Sequence, residues 1–264
     1  MASRRVILTG IVAAVFIVGC RGDTPSKKGQ RAGEVRSFCL APGINARFAW
    51  IPHGRFVMGS SREAPQSGSD ESPVEVVISR GFWLATTEMT REHWLALAGY
   101  NPSEFESMPL RPVEKVSWND CQKLLRRLSR PMPGWRFDLP TEAQWEYACR
   151  ANGTAAFRDI PTDQAWCQPN AGGQTHPVGQ LAANPWGLCD MLGNVAEWCR
   201  DAYQPQLPGG KNPCVNDASP RARRVIRGGS WSSVGACRPT ARNFDSPDLR
   251  INRVGLRLVI CPDD

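Results

Sequence analysis

Asn184-Pro-Trp-Gly-Leu-Cys-Asp190-Met-Leu-Gly193-Asn-Val195-Ala-Glu197-Trp198 is the stretch from which the fold is read. Two Trp, two Gly, one Pro and two Asn break these fifteen residues, and neither a helical nor a strand period of apolar residues runs through them. Segments of this kind are held by tight turns and aromatic packing rather than by long hydrogen-bonded ladders. The same character extends outward. The 264 residues include 24 Gly, 22 Pro and ten Trp against three Tyr. Long irregular segments in a compact domain are either functional or disordered, and this Trp content favours order. Apolar residues at 41% and charged residues at 22% fit a globular chain and exclude a disordered or fibrous one. The expected class is α+β, a single loop-rich domain with little regular secondary structure, not a helical bundle.

Regular elements are expected where the pattern permits them. Residues 48–51 and 55–58 flank Pro52-His53-Gly54 as two short strands around a turn, and residues 74–79 and 82–86 bracket Arg80-Gly81 in the same way. Thr90 opens a helix that runs to Ala98. Ser117 opens a second, with Cys121, Leu124, Leu125 and Leu128 on one stripe. Thr141-Glu-Ala-Gln144 is a capping box, and the helix behind it puts Trp145, Ala148 and Cys149 on one face. Residues 223–227 and 255–261 read as closing strands. No internal repeat or long linker divides 45–262, which is taken as one domain.

The N-terminus carries an address. Arg4-Arg5, an apolar run from Val6 to Val18 and Gly19-Cys20 form a signal peptide over residues 1–20. Ile17-Val18-Gly19-Cys20 resembles the bacterial lipobox, which makes Cys20 the lipidated first residue of an extracytoplasmic, membrane-anchored lipoprotein at the outer membrane or cell surface. Residues 21–44 are expected to form a flexible tether. The net charge of +7 falls to +5 without Arg4 and Arg5, too modest to indicate a nucleic-acid partner. Nine cysteines follow Cys20, so disulfides are expected in an oxidising compartment, with at least one thiol left over. Cys199–Cys237 and Cys39–Cys261 are the pairings suggested. With no Cys-x-x-Cys pair and His only at 53, 93 and 176, a zinc site is not expected.

The motifs form an ordered set. Gly54-Arg-Phe-Val-Met-Gly-Ser60, Glu88-Met-Thr90, Pro112-Val-Glu-Lys-Val-Ser-Trp118, Leu139-Pro-Thr-Glu-Ala-Gln-Trp-Glu-Tyr-Ala148, the opening stretch, Arg227-Gly-Gly-Ser-Trp231 and Gly255-Leu-Arg257 follow in sequence. Together they resemble the formylglycine-generating enzyme (sulfatase-modifying factor) family over about residues 45–260. The resemblance implies a C-type-lectin-like fold and bound calcium. It assigns calcium to the side chains of Asp190 and Glu197 and the carbonyls of Gly193 and Val195, oxygen donors suited to that ion. The alternative is that Asp190 caps its turn while Glu197 pairs with an Arg. A second family calcium site would involve Asn170, but residues 172–177 lack its Asp.

The family's chemistry oxidises a substrate Cys to formylglycine at Cu(I) held by two thiolates. Aligned from Gly228, those positions fall on Ser233 and Arg238, with Cys237 one residue out of register. No catalytic residue is therefore assigned, and copper is not expected. The frame Trp231, Cys237, Arg238, Arg242, Pro247, Arg250, Gly255 and Arg257 resembles non-catalytic members and the variable proteins of diversity-generating retroelements. Residues 232–254 contain no Trp, Gln, Lys, Glu or Met, as adenine-directed variation of Asn codons requires. A bland surface loop remains the alternative. The expected ligand surface comprises Ser232, Ser233, Val234, Gly235, Phe244 and Leu249, for a protein or carbohydrate. Arg238, Arg242 and Arg250 are expected to hold carboxylates such as Asp245 or Asp248. Three functions stay open: a lipid-anchored binding module, an active oxidase of a sulfatase Cys, and a scaffold in an envelope complex.

Overall fold

The structure is a computed structural model, and it describes residues 28–61, 67–128, 135–153 and 162–262. The signal-peptide and Cys20 expectations lie outside the described residues. Among the described residues the chain forms β1 (Val35–Ala41), β2 (Ile44–Ile51), β3 (Gly54–Met58), β4 (Val74–Ile78), β5 (Phe82–Ala85), α1 (Arg91–Ala98), α2 (Trp118–Leu128), β6 (Trp135–Asp138), α3 (Glu142–Arg150), β7 (Ala165–Trp166), β8 (Leu192–Gly193), β9 (Ala196–Ala202), β10 (Gly210–Lys211), β11 (Arg224–Arg227), β12 (Arg242–Asp245), β13 (Val254–Gly255) and β14 (Val259–Pro262). This is the mixed α+β, loop-rich architecture expected.

The helices begin where the sequence places them, because their caps are local. Thr90 accepts the His93 N–H and caps α1. Thr141 and Gln144 form the reciprocal capping box of α3. Along α2, Cys121, Leu124, Leu125 and Leu128 are buried, as their stripe predicts. Strand pairing departs from the local reading. The strands on either side of Pro52 do not pair with each other, nor do those around Arg80-Gly81. β2 pairs with β1 and β5, while β3 pairs with β4, so both turns carry the chain between two sheets.

The tether expectation fails over 35–41. β1 pairs antiparallel with β2 from Val35 to Ala41, and Phe38 is buried between the rings of Phe48 and Trp83. Its alternation of exposed and buried residues is a strand pattern that the polar segment before it masked. The five-stranded sheet runs β1-β2-β5-β14-β6, so β14 from the C-terminal end lies between β5 and β6, more than 100 residues earlier in the chain. One domain follows from that closure.

A second sheet orders as β10-β4-β3, a third as β12-β11-β9-β13, and β7 pairs with β8. Trp83, Trp94, Trp145 and Trp198 are fully buried. Burying each indole is worth about 4–6 kcal/mol as an upper estimate from its area. Trp198 Nε1 donates to Val116 O at 2.9 Å and Trp145 Nε1 to Glu197 Oε2 at 2.7 Å, so both place their polar edge as they pack.

Candidate functional site

The opening stretch folds as a turn fixed from three sides. Gly193 has φ 78°, and a Cβ there would lie 2.3 Å from the Trp166 carbonyl oxygen. The Gly193 N–H donates to Gly228 O at 2.9 Å, and the Trp231 N–H to Asn194 O at 2.8 Å, which joins this turn to Gly228-Gly-Ser-Trp231. Gly229, at φ 70°, is pressed against Ala236, whose carbonyl would be 2.8 Å from an added Cβ. Glycine is thus required at both positions.

Behind the turn lies a buried charge cluster. Arg257 is fully buried; its Nε and Nη2 donate to Glu197 Oε1 at 2.9 and 2.8 Å. Nη2 also donates to Cys189 O at 2.8 Å, and Nη1 to Ala85 O at 2.9 Å. Glu88 accepts from the Val195 N–H at 2.8 Å and from Asn194 Nδ2 at 2.7 Å. Burial first, then the charges of Asp190 and Glu197, hold the Glu88 carboxyl well above the usual carboxylate range. Asp190 Oδ2 accepts from the Gly179 N–H at 2.6 Å, while its Oδ1 is buried with no partner.

These contacts bear on the calcium expectation. Asp190 offers an orphaned buried oxygen, a donor of the kind a hard dication takes. Glu197 is already committed to Arg257 and Trp145, the arrangement weighed as the alternative. The expected set then has Asp190 and the carbonyls of Gly193 and Val195 as its other oxygens. Among the described residues no group of three or more His, Cys, Asp or Glu could hold a metal.

A second buried cluster supports the other side of the Gly-Gly turn. Arg227, fully buried, pairs with Glu146 and Glu142 of α3 and donates to Pro239 O at 2.7 Å. Arg242 forms a bidentate pair with Glu142 at 2.7 and 3.0 Å. Arg238 pairs with Glu71, and Arg250 holds Asp120 at 2.8 and 2.9 Å. The three Arg residues do clamp carboxylates, but those of Glu71, Glu142 and Asp120 rather than Asp245 and Asp248. The true partners lie 100 or more residues away in sequence, beyond what local spacing reveals.

Above this support is a cleft of 80 Å³ lined by Gly229, Ser230, Ser233, Asp245, Leu249 and Arg253, among others. Ser233 Oγ accepts from the Ser230 N–H at 3.0 Å. Of the expected ligand residues, Ser233 and Leu249 line the cleft. Ser232 is bonded to Ser230 beside it, Gly235 is partly buried, and Val234 is 69% exposed. Phe244 is not part of the cleft lining. It stacks on Tyr203 with ring centroids 3.6 Å apart, and the Arg223 guanidinium lies 4.2 Å from its centroid. In β12, Phe244 pairs with Val225 of β11.

Cys237 is in a disulfide with Cys167, 70 residues earlier, and not with Cys199, which is a free buried thiol. Cys39 is disulfide-bonded whereas Cys261 is free, so that proposed pair does not form either. The Cys167–Cys237 bond, with the Gln168 N–H donating to Ser233 O at 3.1 Å, ties residues 167–168 to the loop that carries the expected ligand residues.

A family model, the sulfatase-modifying factor enzyme 1-like domain, matches residues 41–261. The chain belongs to this family. Its fold is the C-type-lectin-like fold of sulfatase-modifying factor proteins. It is similar to the formylglycine-generating enzyme of Streptomyces coelicolor, with 32% identity over 65% of this chain and 58% of that one. It is also similar to the chaperone protein LppX of Paenibacillus barcinonensis, with 28% identity over 76% of this chain and 86% of that one. Among solved structures, Treponema denticola variable protein 1 matches at a TM-score of 0.75 and 25% identity, covering 86% of this chain and 99% of the other. The chain thus spans a little over half of the formylglycine-generating enzyme it matches.

Arg257, Glu88, Arg227, Glu142 and Glu146 were given no site role from sequence, although all lie within or beside the quoted motifs. A charged residue set among apolar ones was the available signal, and four of the five are in motifs rich in Trp or Gly.

Proposed function

We propose that this sulfatase-modifying factor-like domain is a lipid-anchored extracytoplasmic binding module that has kept the family scaffold without its copper chemistry. One observation carries the reading. The two positions aligned with the family's Cu(I) thiolates are Ser233, whose hydroxyl is bonded to the Ser230 N–H, and Arg238, which is paired with Glu71. The neighbouring Cys237 is engaged in a disulfide. Neither a hydroxyl nor a guanidinium supplies a soft ligand for Cu(I). Calcium stabilises the module at Asp190 with the carbonyls of Gly193 and Val195, next to the Glu197–Arg257 pair. When bound, it offsets buried negative charge.

The recognition surface is the rim of the cleft, from Ser232 to Gly235 with Leu249, and variation in residues 232–254 sets its specificity. Small adaptable contacts on a rigid support suit a protein ligand. Likeness to a protein named as a chaperone favours a protein partner over a sugar, and keeps open an envelope scaffold as a second reading. Photo-cross-linking tests this proposal. A photoreactive residue at Val234, in cells, is expected to capture a discrete protein adduct that the same residue at exposed Lys211, outside the cleft lining, does not. Equal or absent capture at the two positions overturns the assigned surface.

A further inference from the structure

A cavity of 560 Å³ lies beside the five-stranded sheet and shares no lining residue with the Gly228–Ser233 cleft. Its lining is graded. Leu40, Ala85, Met89 and Leu258 are buried and apolar, whereas Asn45 and Arg47 of β2 are exposed. The volume is that of a small-molecule site, and an apolar pocket with a few polar groups is the usual form of one.

The polar groups divide into satisfied and available. Glu88, in the wall, already accepts from Val195 N–H and Asn194 Nδ2. Its carboxyl oxygens are thereby engaged by the chain's own donors. His93 Nε2 lies 3.2 Å from Asn45 O, and burial lowers the imidazole pKa toward the neutral ring. Arg47 forms no ion pair among the described residues, and it lines the same cavity as Leu40, Ala85, Met89 and Leu258.

We propose that this cavity binds an amphiphile with an alkyl body and an anionic head, of the class of fatty carboxylates. The body packs on Leu40, Ala85, Met89 and Leu258, and the head lies at Arg47. An apolar ligand without charge would gain nothing from Arg47, and a compact anion would leave the apolar floor in water.

Isothermal titration of the full chain carrying Cys20→Ser, with dodecanoate below its micelle concentration, is the test. One saturable site per chain is expected. Arg47→Gln should weaken dodecanoate about fivefold, the worth of one exposed ion pair, and leave dodecanol unchanged. Ala183→Trp, at an exposed rim position, should weaken both ligands about tenfold or more by filling the cavity. Absence of saturable dodecanoate binding overturns the proposal. So does binding that both variants leave unaltered while their melting temperatures match the parent.

Discussion

Asp201 shows how a single buried group shapes the pH response. Its two oxygens accept from the Val215 and Glu142 N–H groups, each at 2.9 Å, yet burial, reinforced by Glu142, pushes its pKa up to about 7. Between the usual carboxylate range and pH 7 the native state holds a proton that the unfolded state has released. The contribution of Asp201 is full below the unfolded pKa and is lost as pH rises through about 7. Asp201→Asn should therefore flatten the decline in stability between about pH 4.5 and 7, measured by melting at several pH values. A slope unchanged by the substitution would place the burial cost on another group. The proposed calcium site at Asp190 predicts that chelation lowers the melting temperature of the parent and leaves Asp190→Ala unmoved. The Gly193-Asn194 turn was legible because turn chemistry is local. The Glu197–Arg257 pairing appeared only as one alternative, since nothing in the spacing says which cation a buried Glu will meet.

At the scale of elements, α3 is the strut of the site. Its N-cap depends on Thr141 and Gln144, and its buried face sends Glu142 and Glu146 to Arg227 and Arg242. Thr141→Ala should cost about 1 kcal/mol, the ordinary value of an N-cap. Arg227→Met should cost about 3 kcal/mol, because it removes the fully buried guanidinium shared by Glu142 and Glu146 and leaves them to Arg242 and Arg150. Denaturant unfolding of both variants checks the order, and equal losses would mean that Arg242 and Arg150 carry the pairing instead. The three helices were readable from caps and stripes. Sheet membership was not, because strands joined by tight turns look like hairpins even where the chain crosses between sheets, as at Pro52 and Arg80. β1 was missed for a related reason: its strand alternation sits directly behind a polar run.

For the whole molecule, the C-terminal β14 inserts between β5 and β6, and the Cys167–Cys237 bond joins two loops 70 residues apart. The fold class and family were legible from ordered motifs, since each motif marks a turn or cap that the architecture needs. Disulfide partners and arginine clamps were not, because they are set by long-range packing. The central claim is that the scaffold persists without copper-dependent Cys oxidation. It is tested most directly by incubating the chain with Cu(I), oxygen, a reductant and a Cys-x-Pro-x-Arg peptide, and following the peptide by mass spectrometry. With Ser233 and Arg238 at the aligned positions, the peptide should be recovered with its Cys intact and no copper should remain with the protein after desalting. Conversion of that Cys to the aldehyde would contradict the binding-module reading and require a thiol pair at the site.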